Sequence, residues 1–240
     1  MTARFQERHG DFARTIGALE AHRDELLSIG EEPHQPPAPR WTQDWFPRLD
    51  AAAYYAMVHT YRPRRIIEVG CGHLTRFAAR AVADARLRTD ITCIDPAPRA
   101  SLEGLPLNVC HEIVQDTDPG MFASLRGGDI FFVDSSHVMA TGSDVEFIFA
   151  KVLPRLKKDV LVHFHDIFLP DDYPADWAWR KYNEQSAVAG LLDRTDWRLL
   201  FASHYVVGNM VEELGSGVLA ELPLVEGARE SSLWLCKDQE

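Results

Sequence analysis

Beyond Pro63 the chain alternates short apolar runs with amphipathic stretches, and that alternation admits few architectures. Ile66 to Val69, Ile91 to Ile94, Val109 to Val114, Ile130 to Val133 and Val160 to Phe164 are runs of four to six residues, mostly β-branched or aromatic. Continuous apolar runs, without polar alternation, are what strands covered on both faces require. Between them, Leu74, Phe77, Ala78, Ala81 and Val82 follow a helical period, as do Val145, Ile148, Phe149, Val152 and Leu153. The second stripe opens on the capping-box pattern Ser143 to Glu146. Strand alternating with helix implies parallel crossovers and hence a doubly wound α/β sheet. A helix is expected from Trp177 to Leu192, and the runs Trp197 to Ala202 and Ser232 to Cys236 are read as further strands.

The segment before this alternation reads differently. Phe5, Phe12, Ile16, Leu19, Leu26 and Leu27 recur at helical spacing among charges, which predicts an amphipathic helix over 3–29 stopped by Gly30. Residues 31–40 hold four prolines and form neither helix nor central strand. Residues 1–40 are therefore expected to be a helical extension with a semi-rigid connector, capping the site or joining a homodimer, and 41–240 the main domain. A further helix is expected from Leu49 to Tyr61, ended by Pro63.

Composition narrows the function classes. A net charge of -11 and a pI near 5.4 set the average surface against nucleic-acid backbones and anionic lipid. The first thirty residues carry Asp11, Glu20, Asp24 and Glu25 and no apolar run, so a cytoplasmic protein with neither signal nor membrane span is expected. Cys71, Cys93, Cys110 and Cys236 are widely separated, which argues against a zinc knuckle or a disulfide framework.

The chemistry-bearing residues begin in I-I-E-V-G-C-G-H-L-T, where a buried strand runs through a glycine turn into a helix. Gly70 and Gly72 let backbone approach a ligand, and the helix that carries Thr75 presents free N–H groups to something anionic. Glu68 is an acid inside an apolar strand, costly there unless it holds a polar partner. Asp95 ends the next strand, where such folds bind a ribose diol, or else it starts a turn before Pro96. Asp116 is either a plain loop acid or an acceptor for an adenine amino group.

With those residues in view, 62–166 resemble the core of the class I S-adenosylmethionine-dependent methyltransferases. E-V-G-C-G matches the family's glycine motif, Asp95 its ribose acid, and G-D-I-F-F-V-D its fourth-strand motif ending at Asp134. The resemblance implies a mainly parallel, seven-stranded Rossmann-like sheet with an antiparallel last strand pair, and S-adenosylmethionine as cofactor. Thr75 or Arg76 stands where nicotinamide-binding proteins place a third glycine, which disfavours a dehydrogenase.

Asp134 follows the fourth strand, while His163, His165 and Asp166 end the fifth, so the fold brings them to one cleft edge. The arrangement is similar to that of small-molecule O-methyltransferases holding a divalent metal, with Asp134, His165 and Asp166 at the corresponding places. Histidine in the set shifts preference from magnesium toward manganese, iron or zinc, or signals no metal. His163 and His165 are otherwise core or strand-end histidines, and His137 is a third imidazole or a turn residue. Tyr173, Trp177, Trp179 and Tyr182 either wall a pocket or pack in the core. The expected reaction is methyl transfer to a small-molecule acceptor, at oxygen in preference to nitrogen or carbon, with His165 or His137 as base or a metal lowering the hydroxyl pKa. The alternatives are another enzyme of this cofactor fold or of metal-dependent type using the His/Asp cluster, and a cofactor-binding module without turnover.

Overall fold

The computed structural model describes residues 1–31 and 37–239. Seven strands, β1 (Arg65–Val69), β2 (Asp90–Ile94), β3 (Asn108–Cys110), β4 (Ile130–Val133), β5 (Leu161–Phe164), β6 (Trp197–Ala202) and β7 (Leu233–Lys237), form one sheet in the order β3-β2-β1-β4-β5-β7-β6. The first five run parallel, and β7 is antiparallel to both β5 and β6. Because strand order reverses between β1 and β4, their carboxyl ends part into a crevice, the place where open α/β sheets bind ligands. The fully buried pattern of β4 matches its unbroken apolar sequence, and β5 is equally buried with His163 as its one polar residue.

The helix Arg48–Tyr61 buries ten residues in succession, from Leu49 to Val58, with Asp50 among them. Its C-terminal neighbour Arg62 turns left-handed at φ 50°, breaking the helix before Pro63. His73–Asp84 follows β1 and places Leu74, Phe77, Ala78 and Ala81 in the core, as the helical stripe requires.

Four expectations are revised. The Val109–Val114 run is not one strand: only Asn108–Cys110 pairs, and Val114 opens a 3-10 turn that tucks its side chain inward. The helix expected over Trp177–Leu192 breaks at Lys181, which is left-handed, into a 3-10 segment Ala175–Arg180 and a helix Glu184–Leu192. The stripe opened by Ser143 holds one α-turn, capped by the Ser143 hydroxyl accepting from the Glu146 N–H at 3.1 Å, then relaxes through a π-turn at Ile148–Val152. The N-terminal helix is divided into Thr2–Glu7, His9–Leu19, Glu20–His22 and Arg23–Leu27.

That N-terminal segment is part of the core. Phe5, Phe12, Leu19 and Leu26 are buried, with the Phe12 ring 5.7 Å from both Phe201 of β6 and Tyr205. Most of the apolar stripe therefore has its partner within the chain, packed on β6 and on Arg48–Tyr61, with Leu27 left exposed. It lies away from the crevice and lines no part of the main cavity. The proline connector falls largely on residues 32–36, outside the described residues. Among the described residues no helix is long and apolar enough to cross a membrane.

Candidate active site

A cavity of about 610 Å³ opens at the carboxyl ends of the parallel strands. Its wall takes Gly70, Cys71 and Gly72 after β1, Asp95 after β2, Ile113 to Gln115 after β3, Asp134 and His137 after β4, and His165 and Asp166 after β5. The loop before Arg48–Tyr61 adds Trp45 and Phe46, and the 175–182 segment adds Trp177, Arg180 and Tyr182.

The glycine turn is built by contacts on both sides. Gly70 adopts φ +83°, and a Cβ there would lie 1.8 Å from the backbone oxygen of Asp134. Only glycine permits that approach, which seats Asp134 beside the turn through its N–H donating to the Val69 carbonyl at 2.8 Å. Asp95 accepts from the Cys71 N–H through one carboxylate oxygen and from the Ala97 N–H through the other, each at 2.8 Å. It is thereby locked at the cavity wall, facing the turn.

Three residues expected to touch the cofactor stand elsewhere. Glu68 is fully buried behind the turn, where its carboxylate accepts from the Tyr54 hydroxyl at 2.9 Å, the Thr75 hydroxyl at 2.6 Å and the Cys93 thiol at 3.5 Å. Thr75 in turn accepts from the Gly72 N–H at 3.0 Å, so this pair shapes the turn from beneath instead of meeting a ligand. The acid in the apolar strand does have polar partners, but they are the chain's own. Desolvation pushes the Glu68 carboxyl up to about 7, the three donors only partly offsetting it. Asp116 is exposed on the turn after β3 and lines no cavity; Gln115 beside it does.

At the ends of β4 and β5, beside the turn, four side chains form a ring. His137 Nε2 lies 3.3 Å from Asp134 Oδ1 and 3.5 Å from Asp166 Oδ2, while His165 Nδ1 lies 3.5 Å from Asp134 Oδ1 and 3.6 Å from Asp166 Oδ1. Each imidazole is fixed from behind by a carboxylate with no exposed surface: Glu184 at 2.9 Å from His137 Nδ1, and Asp50 at 3.2 Å from His165 Nε2. Asp50 also accepts from the Ser231 and Ser232 N–H groups at 3.0 and 2.9 Å, tying the ring to the start of β7. His137 and Asp166 both sit at positive φ, 60° and 54°, a strained conformation that persists only where surroundings hold it.

Electrostatics follow from this packing. Desolvation opposes charge on both imidazoles, but the surrounding carboxylates prevail and hold His137 and His165 well above the usual histidine range. Burial likewise acts against ionised Asp134, yet His165 and His137 keep its carboxyl far below the ordinary value. In the contact between Glu184 and His137 the imidazole keeps the proton, because Asp134 and Asp166 also face it. His163 behaves oppositely. It stacks on Phe132 at 3.6 Å, bonds Ser232 Oγ through Nε2 at 2.8 Å and lines no cavity, and desolvation with His165 nearby keeps it neutral.

The ring also has the donor chemistry of a divalent site. The four sides of the ring run 3.3–3.6 Å, but no three of its donor atoms all lie within 4.8 Å of one another, so the ring is open across its middle and is not a closed tetrahedral set. A carboxylate behind each ligating imidazole is the usual device for fixing its tautomer and raising its basicity. Tighter triplets, with all donor atoms within 4.8 Å of one another, lie elsewhere at Glu68, Cys71 and Cys93 and at Asp159, Cys236 and Asp238. The ring is thus wider across than along its sides.

Sequence reasoning missed Asp50 and Glu184. Asp50 carries the signal that singled out Glu68, an acid in an apolar stretch. Glu184 carries none, since an acid in a first helical turn has a sufficient local explanation. Of the aromatic stretch, Trp177 and Tyr182 line the cavity, whereas Trp179 is 75% exposed.

Residues 67–167 match the family model described as a methyltransferase domain. No curated protein matches the chain. Among solved structures, the S-adenosylhomocysteine-bound methyltransferase PaMTH1 of Podospora anserina is 17% identical, covering 92% of this chain and 88% of that one at a TM-score of 0.50. At this identity the likeness is one of fold. The plantazolicin methyltransferase BpumL in complex with S-adenosylhomocysteine is 14% identical over 94% of this chain and 98% of that one, at a TM-score of 0.47. An O-methyltransferase from Bacillus cereus, also bound to S-adenosylhomocysteine, is 13% identical over 78% and 82%, at 0.43.

Proposed function

We propose that the chain, whose 67–167 core matches a methyltransferase domain, is a class I S-adenosylmethionine-dependent methyltransferase that transfers a methyl group from that cofactor to oxygen of a small-molecule acceptor. The observation that carries the reading is a single cavity shared by two sets of residues. The glycine turn and Asp95 line it, and so do Asp134, His137, His165 and Asp166.

S-adenosylmethionine supplies a methyl carbon on a sulfonium, which an acceptor oxygen attacks in line while the sulfur keeps the electron pair of the broken bond. The chain's own contribution is mainly position. Gly70 and Gly72 open the wall to close approach, Asp95 accepts from a diol, and Trp45 and Phe46 add apolar lining. The ring of four, which meets the glycine turn through Asp134, orients the acceptor hydroxyl.

The surrounding carboxylates keep both imidazoles protonated, so in this form neither His137 nor His165 takes the hydroxyl proton. Asp134, His137, His165 and Asp166 are the residues that would hold a divalent ion, once the imidazoles gave up their protons to it; such an ion would lower the hydroxyl pKa, and mixed nitrogen and oxygen would favour manganese, iron or zinc over magnesium.

Calorimetry with S-adenosylhomocysteine tests the cofactor half. The wild-type protein is expected to bind it, and Asp95→Ala to weaken it about 10- to 100-fold while melting cooperatively, the range for losing a hydrogen bond to a charged group. A folded Asp95→Ala protein with unchanged affinity removes Asp95 from the site, and no binding by the wild type removes the proposal.

A further inference from the structure

We propose that the acceptor carries a carboxylate, recognised by Arg180 on the aromatic wall opposite the glycine turn. The inference rests on the reading that the cavity holds a cofactor and an acceptor, and it adds the acceptor's chemical class.

Arg180 ends the Ala175–Arg180 segment and lines the cavity with Trp177 and Tyr182. Its guanidinium carbon lies 4.1 Å from the Trp177 ring centroid, 5.2 Å from Trp179 and 5.5 Å from Tyr182. Nη1 donates to the Tyr182 hydroxyl at 3.1 Å. Nε is buried and has no hydrogen-bond partner among the described residues, and none is found there for Nη2. Nε and Nη2 share one edge of the planar guanidinium, the edge that grips a carboxylate through two parallel hydrogen bonds.

The neighbouring charges leave that edge unspent. Asp176, on the same segment, is engaged by Arg229 through two contacts of 3.0 Å. Arg180 itself forms no ion pair among the described residues. In a chain of net charge -11, a cation held by three aromatic rings with a buried, unpaired N–H is an uncommon investment of local structure. Cation–π contact with the rings explains where the side chain lies but satisfies neither donor, because a ring face meets the charge and not the N–H fork.

The same wall leads to the reacting centre. The Tyr182 ring, bonded to Arg180 through its hydroxyl, packs 4.7 Å from the ring of His137. Tyr182 thus joins the two stations, its hydroxyl at Arg180 and its ring at His137, so an acceptor lying along Tyr182 would set an anionic end at Arg180 and a hydroxyl end at the ring of Asp134, His137, His165 and Asp166. Its apolar body suits the rings, and its two polar ends suit the two polar stations.

The test uses 3,4-dihydroxybenzoate as probe, with 3,4-dihydroxybenzamide as its neutral counterpart and 3,4-dihydroxyphenylphosphonate as the other oxyanion. Binding is measured by calorimetry on full-length protein saturated with S-adenosylhomocysteine, whose own binding reports separately on the cofactor reading. The carboxylate is expected to bind about 10- to 100-fold more tightly than the amide, a preference that Arg180→Met abolishes and Arg180→Lys, with charge but no fork, restores only in part. Equal binding of acid and amide, a preference surviving in Arg180→Met, tighter binding of the phosphonate than of the carboxylate, or no binding of the carboxylate overturns the proposal. Loss of S-adenosylhomocysteine binding by the wild type would instead strike the cofactor reading alone.

Discussion

His165 donates through Nε2 to the carboxylate of Asp50, 115 positions earlier in the chain, at 3.2 Å. The helix that precedes the whole alternating core thus sets the orientation of an imidazole at its far edge, with Nδ1 left to face Asp134 and Asp166. Asp50→Asn keeps the volume but cannot accept from His165 and both backbone N–H groups as the carboxylate does. It is expected to lower kcat by about 10- to 100-fold, the cost of losing such a supporting partner, with S-adenosylhomocysteine affinity retained. Steady-state kinetics beside calorimetry decide it, and an Asp50→Asn enzyme with normal kcat would show that His165 needs no such support.

Gly70 is the position least able to accept a side chain. A Cβ would overlap the Asp134 backbone, and the left-handed conformation adds about 1–2 kcal/mol of its own. Gly70→Ala is expected to shift the end of β4 and weaken both thermal stability and cofactor binding. A variant that melts and binds as the wild type does would mean that the two strand ends are not apposed as described.

Glu68 gives the fold a pH dependence of defined sign. Its folded carboxyl titrates at about 7, above the ordinary glutamate value, so the native state binds the extra proton between about 4.5 and 7. The contribution is fully present below the lower value and is lost as pH rises through the upper one. Relative to Glu68→Gln, the wild-type protein should therefore lose stability between pH 5 and 8, by at most a few kcal/mol. Parallel melting points for the two proteins across that range would remove the assigned cost of burying this charge.

Phe12 meets Phe201 and Tyr205 with no exposed surface. Phe12→Ala should destabilise the protein by about 3–5 kcal/mol in denaturant titration, the range for a buried phenylalanine. A loss below about 1 kcal/mol would detach the N-terminal segment from the core.

What the sequence made legible was whatever leaves a periodic or local trace. The largely apolar runs of β1, β2, β4 and β5 declare strands buried on both faces, and their alternation with helices brings Asp134 and Asp166 to one edge without further information. The connection at 181–183 was not legible, because the break is made by one left-handed residue, Lys181, and the sequence there carries no glycine or proline to mark it. Glu68 and Thr75 were misplaced for a related reason: the motif fixes where the turn is, but not which side chains point through it and which beneath it. The partners of His137 and His165 come from positions 184 and 50, and pairings at such separation leave no spacing to read.

The ring of Asp134, His137, Asp166 and His165 gives the last prediction. Its nitrogen and oxygen donors should bind zinc or manganese more tightly than magnesium, which prefers oxygen and a full set of six ligands. Calorimetry with each ion on chelator-treated protein reads this without turnover, and His137→Ala should weaken zinc more than magnesium because it removes a nitrogen donor. Elemental analysis of protein purified without added metal, then chelation and add-back in a methyl-transfer assay, links binding to activity. Magnesium preferred over zinc would return the site to an oxygen-only centre excluding both histidines. Full activity after chelation, with no ion bound, would leave proton removal to the protein alone, and the assignment of His137 and His165 as ligands would fall.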